Sequence, residues 1–279
     1  MQRLSDGSVE LLITVPWTDV EKEYESVVTA MVAAAEVDGF RKGKAPRNVV
    51  EPKLDKIKVY EEVLKDLIPN VYGKAVEQEK LRPIVSPKIE LKEATEKKDW
   101  IIRALTCEKP DVTLGEYKKP IQDLKANKTA KIWKPGDAEE DKNKPNKSTL
   151  DELLKVLYDN VTVKLAALLL EHEVNRLLSD LIDQTRKLGM TVEQYLSSTG
   201  RTSDTVRKEY EEQTRRTLTL EFALEAIADR EGILVSDDDI DTVIKTAKTD
   251  KEKESLTAQR YYIASVLRRQ KTLDFLASL

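Results

Sequence analysis

Nine consecutive residues, Gly39-Phe40-Arg41-Lys42-Gly43-Lys44-Ala45-Pro46-Arg47, place four cations and one aromatic ring on a stretch that contains no acid. Arginine offers a planar bidentate fork and lysine a compact charge, so such a cluster suits phosphate. Phe40 can stack on a base or fill an apolar dimple. Glycine tolerates sharply turned backbone, so Gly39 and Gly43 bracket a tight loop whose side chains point outward. Pro46 suits the first turn of a short helix running through Val49 and Val50. A short basic loop taken alone is most often a solvated turn. Its meaning therefore depends on the elements that hold it.

The segment before the loop carries Trp17, Val20, Tyr24, Val27, Val28, Met31 and Ala35, the three-four spacing of one buried helix face. This predicts a helix from Trp17 to Val37, stopped at Asp38-Gly39. Upstream, Ser8 to Val15 alternates as a strand and Pro16 ends it. Downstream, Tyr60, Val63, Leu64, Leu67, Ile68, Val71, Tyr72, Ala75 and Val76 predict a third helix, bent where Pro69 removes a backbone donor. An extended segment from Pro83 to Leu91 and a strand over Trp100 to Cys107 complete an antiparallel sheet with helices packed on one side. Residues 1–115 thus read as one α+β domain.

Between Lys118 and Ser148 the apolar periodicity disappears. Lys134 to Lys147 contains Pro135, Gly136 and Pro145 among alternating charges, a composition that cannot bury enough surface to offset its ordering entropy. Residues 116–148 therefore read as a linker, which Ile132 and Trp133 pin to a neighbouring domain. From 149 to 279 the pattern is all-α. Thr149 and Glu152 have capping-box spacing ahead of an apolar face through Leu153, Leu157, Val161, Leu165 and Leu169 to Ile182, which is one long helix or two nearly continuous ones. Leu188-Gly189 closes it. Thr191 with Gln194 opens a short helix that ends at Ser198-Thr199-Gly200, a second long helix runs from about Asp204 to Glu231, and Ser236 starts another. A final helix covers roughly Leu256 to Leu276.

The chain has 279 residues, 35% of them charged and 40% hydrophobic, enough for one large or two ordinary domains with real cores. A net charge of -4 argues against a general nucleic-acid coat and confines any RNA contact to a local patch. One cysteine, Cys107, and one histidine, His172, cannot make an intramolecular disulfide or the usual zinc set, and fit a reducing compartment. No P-loop, nucleophile elbow or dinucleotide fingerprint is present, so neither a catalytic residue nor a cofactor is expected. Asp237-Asp238-Asp239 reads as the acidic start of a helix rather than a cation site, and no metal is expected. With no basic start leading into a long apolar core and no apolar run of about 18 residues, neither secretion nor a membrane partner is indicated.

The loop resembles the ribosome-docking signature of the trigger factor family of bacterial chaperones, which reads G-F-R-x-G-K-x-P. Gly39, Phe40, Arg41, Gly43, Lys44 and Pro46 match it, with Lys42 in the variable place. The order of strands and helices over residues 1–115 is similar to the family's ribosome-binding domain, ending in Pro110-Asp111-Val112-Thr113-Leu114-Gly115-Glu116-Tyr117. The later half resembles the family's arm-bearing chaperone domain in Glu171 to Leu177, Gly189 to Leu196 and Ala226 to Asp237. The resemblance implies that Phe40, Arg41 and Lys42 contact a tunnel-exit protein of the large ribosomal subunit and adjacent ribosomal RNA. It further implies a cytoplasmic, ATP-independent chaperone that holds nascent or unfolded polypeptides and self-associates as a homodimer off the ribosome.

One departure from the family bears on activity. Its FK506-binding-protein-type prolyl-isomerase domain needs on the order of a hundred residues, and only about thirty lie between the two halves here. The chain is therefore expected not to be an enzyme. An RNA-binding ribosome-assembly factor using the same basic loop, and a residual peptidyl-prolyl isomerase, are the alternative readings.

Overall fold

The computed structural model describes residues 1–129, 147–247 and 249–279. They divide into two compact units, residues 1–109 with 166–169, and residues 110–165 with 170–279.

The first unit is α+β. Its strands are β1 (Gln2–Arg3), β2 (Ser8–Val15), β3 (Lys88–Glu93) and β4 (Trp100–Cys107), its helices α1 (Trp17–Ala34), α2 (Arg47–Val50) and α3 (Lys56–Gln78). The strands form one antiparallel sheet in the order β1-β2-β4-β3. Alternation along β4 sends Trp100, Ile102, Ala104 and Thr106 inward, and Val15 on β2 faces the same side. Onto that side α1 and α3 place Val20, Val27, Val28, Val59, Val63 and Leu67. Each such side chain removed from water is worth about 1.5–3 kcal/mol. On the outer face Arg103 is held between Glu10 and Glu90, which gives the uncovered side of the sheet a charged centre. Pro69 lies inside α3 as expected, whereas β1 is a two-residue edge strand too short to leave a periodic signal.

One helix end differs from its expected position. The backbone leaves α1 after Ala34, three residues before Val37, because Ala35 turns extended and gives its carbonyl to the Gly43 N–H at 3.1 Å. The loop is thus closed on the helix end by a hydrogen bond that no local periodicity encodes.

The second unit contains β5 (Val112–Leu114), α4 (Lys118–Thr129), α5 (Lys147–Asn160), β6 (Val161–Val163), all of α6 (Ala167–Lys187) beyond Leu169, α7 (Val192–Thr199), α8 (Ser203–Arg230), α9 (Asp237–Ile244), α10 (Asp250–Ala258) and α11 (Arg260–Ser278). Its main core joins Tyr117 and Ile121 to Leu153, Leu157, Ala223, Leu224, Ile227 and Leu276. Residues 112–129, which the sequence assigns to a domain exit and a linker, therefore differ from that expectation. Tyr117, just ahead of α4, and Ile121 within it are both buried and belong to the helical unit. Ile132, Trp133 and all but the last residue of the proline-bearing, charged run from Lys134 to Lys147 lie outside the described residues. So does the Thr149 side chain, on which a capping box was expected.

The long apolar face from Leu153 to Ile182 is two helices with a strand between them. Val161, Thr162 and Val163 pair antiparallel with Leu114, Thr113 and Val112. A β-branched run favours the pleated conformation once a partner strand is at hand. The final helix begins at Arg260 rather than Leu256, because α10 ends at Ala258 and Gln259 takes non-helical backbone between the two. Elsewhere the expected caps form. Thr191 and Gln194 make a reciprocal capping box, Gly200 closes α7 in the left-handed conformation, and Ser236 and Asp239 make a second box.

Candidate functional site

Residues 35–46 form the loop between α1 and α2. Its backbone is pinned at three points: Phe40 N–H to the Val37 carbonyl at 3.0 Å, Gly43 N–H to the Ala35 carbonyl at 3.1 Å, and Lys44 N–H to the Arg41 carbonyl at 2.9 Å. Gly39 and Gly43 both take positive φ, +86° and +69°. At Gly43 there is a second constraint, since a Cβ would meet the Ala33 carbonyl oxygen at 2.4 Å. Pro46 is the N-cap of α2 rather than part of its first turn, and its carbonyl accepts from Val49 and Val50. Ala45 and Val50 are buried and anchor the loop's exit.

This scaffold turns Phe40, Arg41, Lys42 and Lys44 outward; Phe40 is 45% exposed. The four cations of the sequence motif are not equivalent. Among the described residues, Arg41 and Lys44 have no ion-pair partner. Lys42 lies 3.1 Å from Glu36, an exposed pair that screening leaves weak, so its charge stays available. Arg47 is engaged through all three of its nitrogens. Its Nη1 donates to Glu25 Oε2 at 2.7 Å, its Nε to Glu51 Oε2 at 2.7 Å and its Nη2 to Glu51 Oε1 at 3.4 Å. The guanidinium holds the Glu25 carboxyl below the ordinary carboxylate range, and the two carboxylates raise the guanidinium in turn. The loop therefore offers an aromatic ring and three available cations, while Arg47, itself exposed, is paired with Glu25 and Glu51.

A second feature lies within the helical unit. Phe222, Leu224 and Ala228 on α8, Leu234 in the turn after it, and Tyr261 and Ala264 on α11 line a groove of about 650 Å³. Leu234 is 76% and Tyr261 94% exposed, far more than large apolar side chains in a packed core. Both arginines that line the groove are paired with carboxylates. Arg269 meets Glu221 at 2.9 Å, while Arg268 meets Asp229 at 2.6 Å and donates to the Ile233 carbonyl at 2.9 Å. An apolar floor inside a neutralised rim suits apolar side chains of extended polypeptide without selecting a charge. The sequence signal for it was weak, because Leu234 and Tyr261 stand 27 residues apart and only the α8–α11 packing brings them to one groove.

The remaining candidates resolve as structural. Asp239 caps Ser236 and meets Lys271 at 2.6 Å, and Asp237 and Asp241 both bind Arg260. Among the described residues no cluster of histidine, cysteine and carboxylate groups could hold a metal ion. His172 is exposed, 3.8 Å from Glu173. Burial pushes the Cys107 thiol up to about 11, which keeps it protonated and unreactive at neutral pH. Among the described residues, no helix is long and apolar enough to cross a membrane.

Two family models match the chain: that of the bacterial trigger factor protein over residues 1–141, and that of the bacterial trigger factor protein C-terminus over residues 130–278. Trigger factors of Staphylococcus epidermidis and Staphylococcus aureus are 33% and 32% identical to it over 108 residues, 39% of this chain. The match spans 25% of the length of these curated relatives. A solved structure of the trigger factor chaperone, from work on promiscuous substrate recognition in its folding and assembly activities, superimposes with a TM-score of 0.65. It covers 99% of this chain and 98% of that one at 16% identity, which establishes a common fold.

Proposed function

The chain belongs to the bacterial trigger factor family, and from that premise we propose that it is a nucleotide-independent chaperone with two working surfaces. The loop of the first unit docks on the large ribosomal subunit at the tunnel exit. Phe40 fills an apolar site on a ribosomal protein, and Arg41, Lys42 and Lys44 meet acidic side chains or RNA phosphates, while Gly39, Gly43 and Pro46 set the loop's shape. The groove between α8 and α11 holds apolar stretches of nascent or unfolded polypeptide. Each contact contributes about 25 cal/mol per Å² buried, so binding is weak, promiscuous and quickly reversed. Docking then supplies a high local concentration of client. The observation that carries this reading is the joint exposure of Phe40, Arg41 and Lys44 on a loop pinned by its own backbone.

The same reading excludes prolyl isomerisation. The two family models overlap over residues 130–141, which supports a chain without the intervening domain. Replacing Phe40, Arg41 and Lys42 by alanine should abolish co-sedimentation with ribosomes and leave suppression of client aggregation in free solution unchanged. Retained co-sedimentation would remove the loop from the docking role. The RNA-binding alternative makes a different forecast: tight binding to naked ribosomal RNA with a steep salt slope and no protection of client.

A further inference from the structure

Arg47 closes the basic motif in sequence but not in space. It opens α2, immediately after the loop, and its fork grips Glu51 one turn on while its third nitrogen reaches back 22 residues to Glu25 on α1. The helix that enters the loop and the helix that leaves it are thereby fastened to one guanidinium. All three guanidinium nitrogens donate to the two carboxylates, and the trio carries a net charge of about -1, so it is not a cationic site. Bidentate geometry and a shared centre distinguish this network from an isolated surface pair. Within the loop, three backbone hydrogen bonds, the exposed Lys42–Glu36 pair and the buried Ala45 and Val50 set the local shape, whereas Arg47 ties together the two helices that flank it.

We propose that Arg47 is a positioning residue, a brace that sets the loop for docking without touching the ribosome. The proposal rests on the docking reading above. Its forecast differs from that of a contact residue in the salt slope. A cation that meets RNA phosphate loses its counterion on binding, so removing it lowers affinity and also lowers the salt slope by about one. Removing a brace lowers affinity and leaves the slope where it was.

The test is a salt titration of binding to purified large ribosomal subunits by the full chain and by Arg41→Ala, Arg47→Met and the double variant Glu25→Gln/Glu51→Gln. Arg41→Ala should lose affinity and about one unit of slope. Arg47→Met should lose affinity at unchanged slope. The double variant should do the same, although it removes two negative charges from a surface that meets an anion. A lower slope for Arg47→Met, or tighter binding by the double variant, overturns the brace and makes Arg47 a contact. Amide hydrogen exchange at Gly43 and Lys44, read on the free chain, tests the brace without ribosomes. Exchange should quicken about threefold or more in both Arg47→Met and the double variant. Unchanged exchange rejects the brace even if docking is real, whereas quickened exchange in a chain that never binds ribosomes keeps the brace and rejects the docking reading.

Discussion

At the scale of single residues, the chemistry of the loop depends on which side chains are left over once the backbone is satisfied. Gly43 shows the constraint most sharply. An alanine there meets both the cost of left-handed backbone, about 1–2 kcal/mol, and a carbonyl oxygen at 2.4 Å that belongs to the main chain of α1 and cannot rotate away. Gly43→Ala should therefore reshape the loop and weaken ribosome co-sedimentation without changing one charge. Gly39→Ala meets open space and should lose less. Equal losses in the two variants would show that φ alone, not the approach to Ala33, sets the loop's form. The exposed ring and the free cations were legible from residue types, because glycine, proline and a run without acids describe a loop from within. The role of Arg47 was not, because one of its partners lies on the preceding helix and nothing local announces an ion pair over 22 residues.

At the scale of elements, helix ends fixed by their own sequence were the most legible part of the fold. Thr191 with Gln194, and Ser236 ahead of Asp239, form the expected caps because a cap needs only neighbours three residues away. The strand β6 was illegible for the converse reason: Val161 fits a helical face as well as a pleat, and its partner Leu114 is 47 residues earlier. One cap also carries a pH dependence. Asp239 meets Lys271 on α11 and accepts from the Ser236 backbone and hydroxyl, which together hold its carboxyl down at about 2 against an ordinary value of 3.8. A depressed carboxylate favours the folded state above its ordinary value, and that contribution is lost as pH falls from about 4 to about 2. Asp239→Asn should melt below the wild type near neutral pH, with the gap closing over that acid interval. A gap that stays constant from about pH 6 to about pH 2 would show that the carboxylate's charge plays no part in joining α9 to α11.

At the scale of the whole molecule, the two units carry different chemistry: charged and aromatic on the loop of one, apolar in the groove of the other. On the proposed function, neither surface alone would make an efficient chaperone. Contacts weak enough to release any client need a high client concentration, and a tether supplies one in the millimolar range. Leu234 and Tyr261 are exposed enough that polar substitution should alter stability by no more than about 0.5 kcal/mol. The double variant Leu234→Ser/Tyr261→Ser should thus keep its fold and its ribosome co-sedimentation but lose protection of a denatured client in solution. The Phe40, Arg41 and Lys42 alanine variant should do the reverse. On translating ribosomes each should fall below the wild type, and an equimolar mixture of the two should not restore protection, because the docked molecule lacks the groove and the molecule with the groove lacks the tether. Restoration by the mixture would mean that the surfaces act independently, leaving the link between the units without a part in the mechanism.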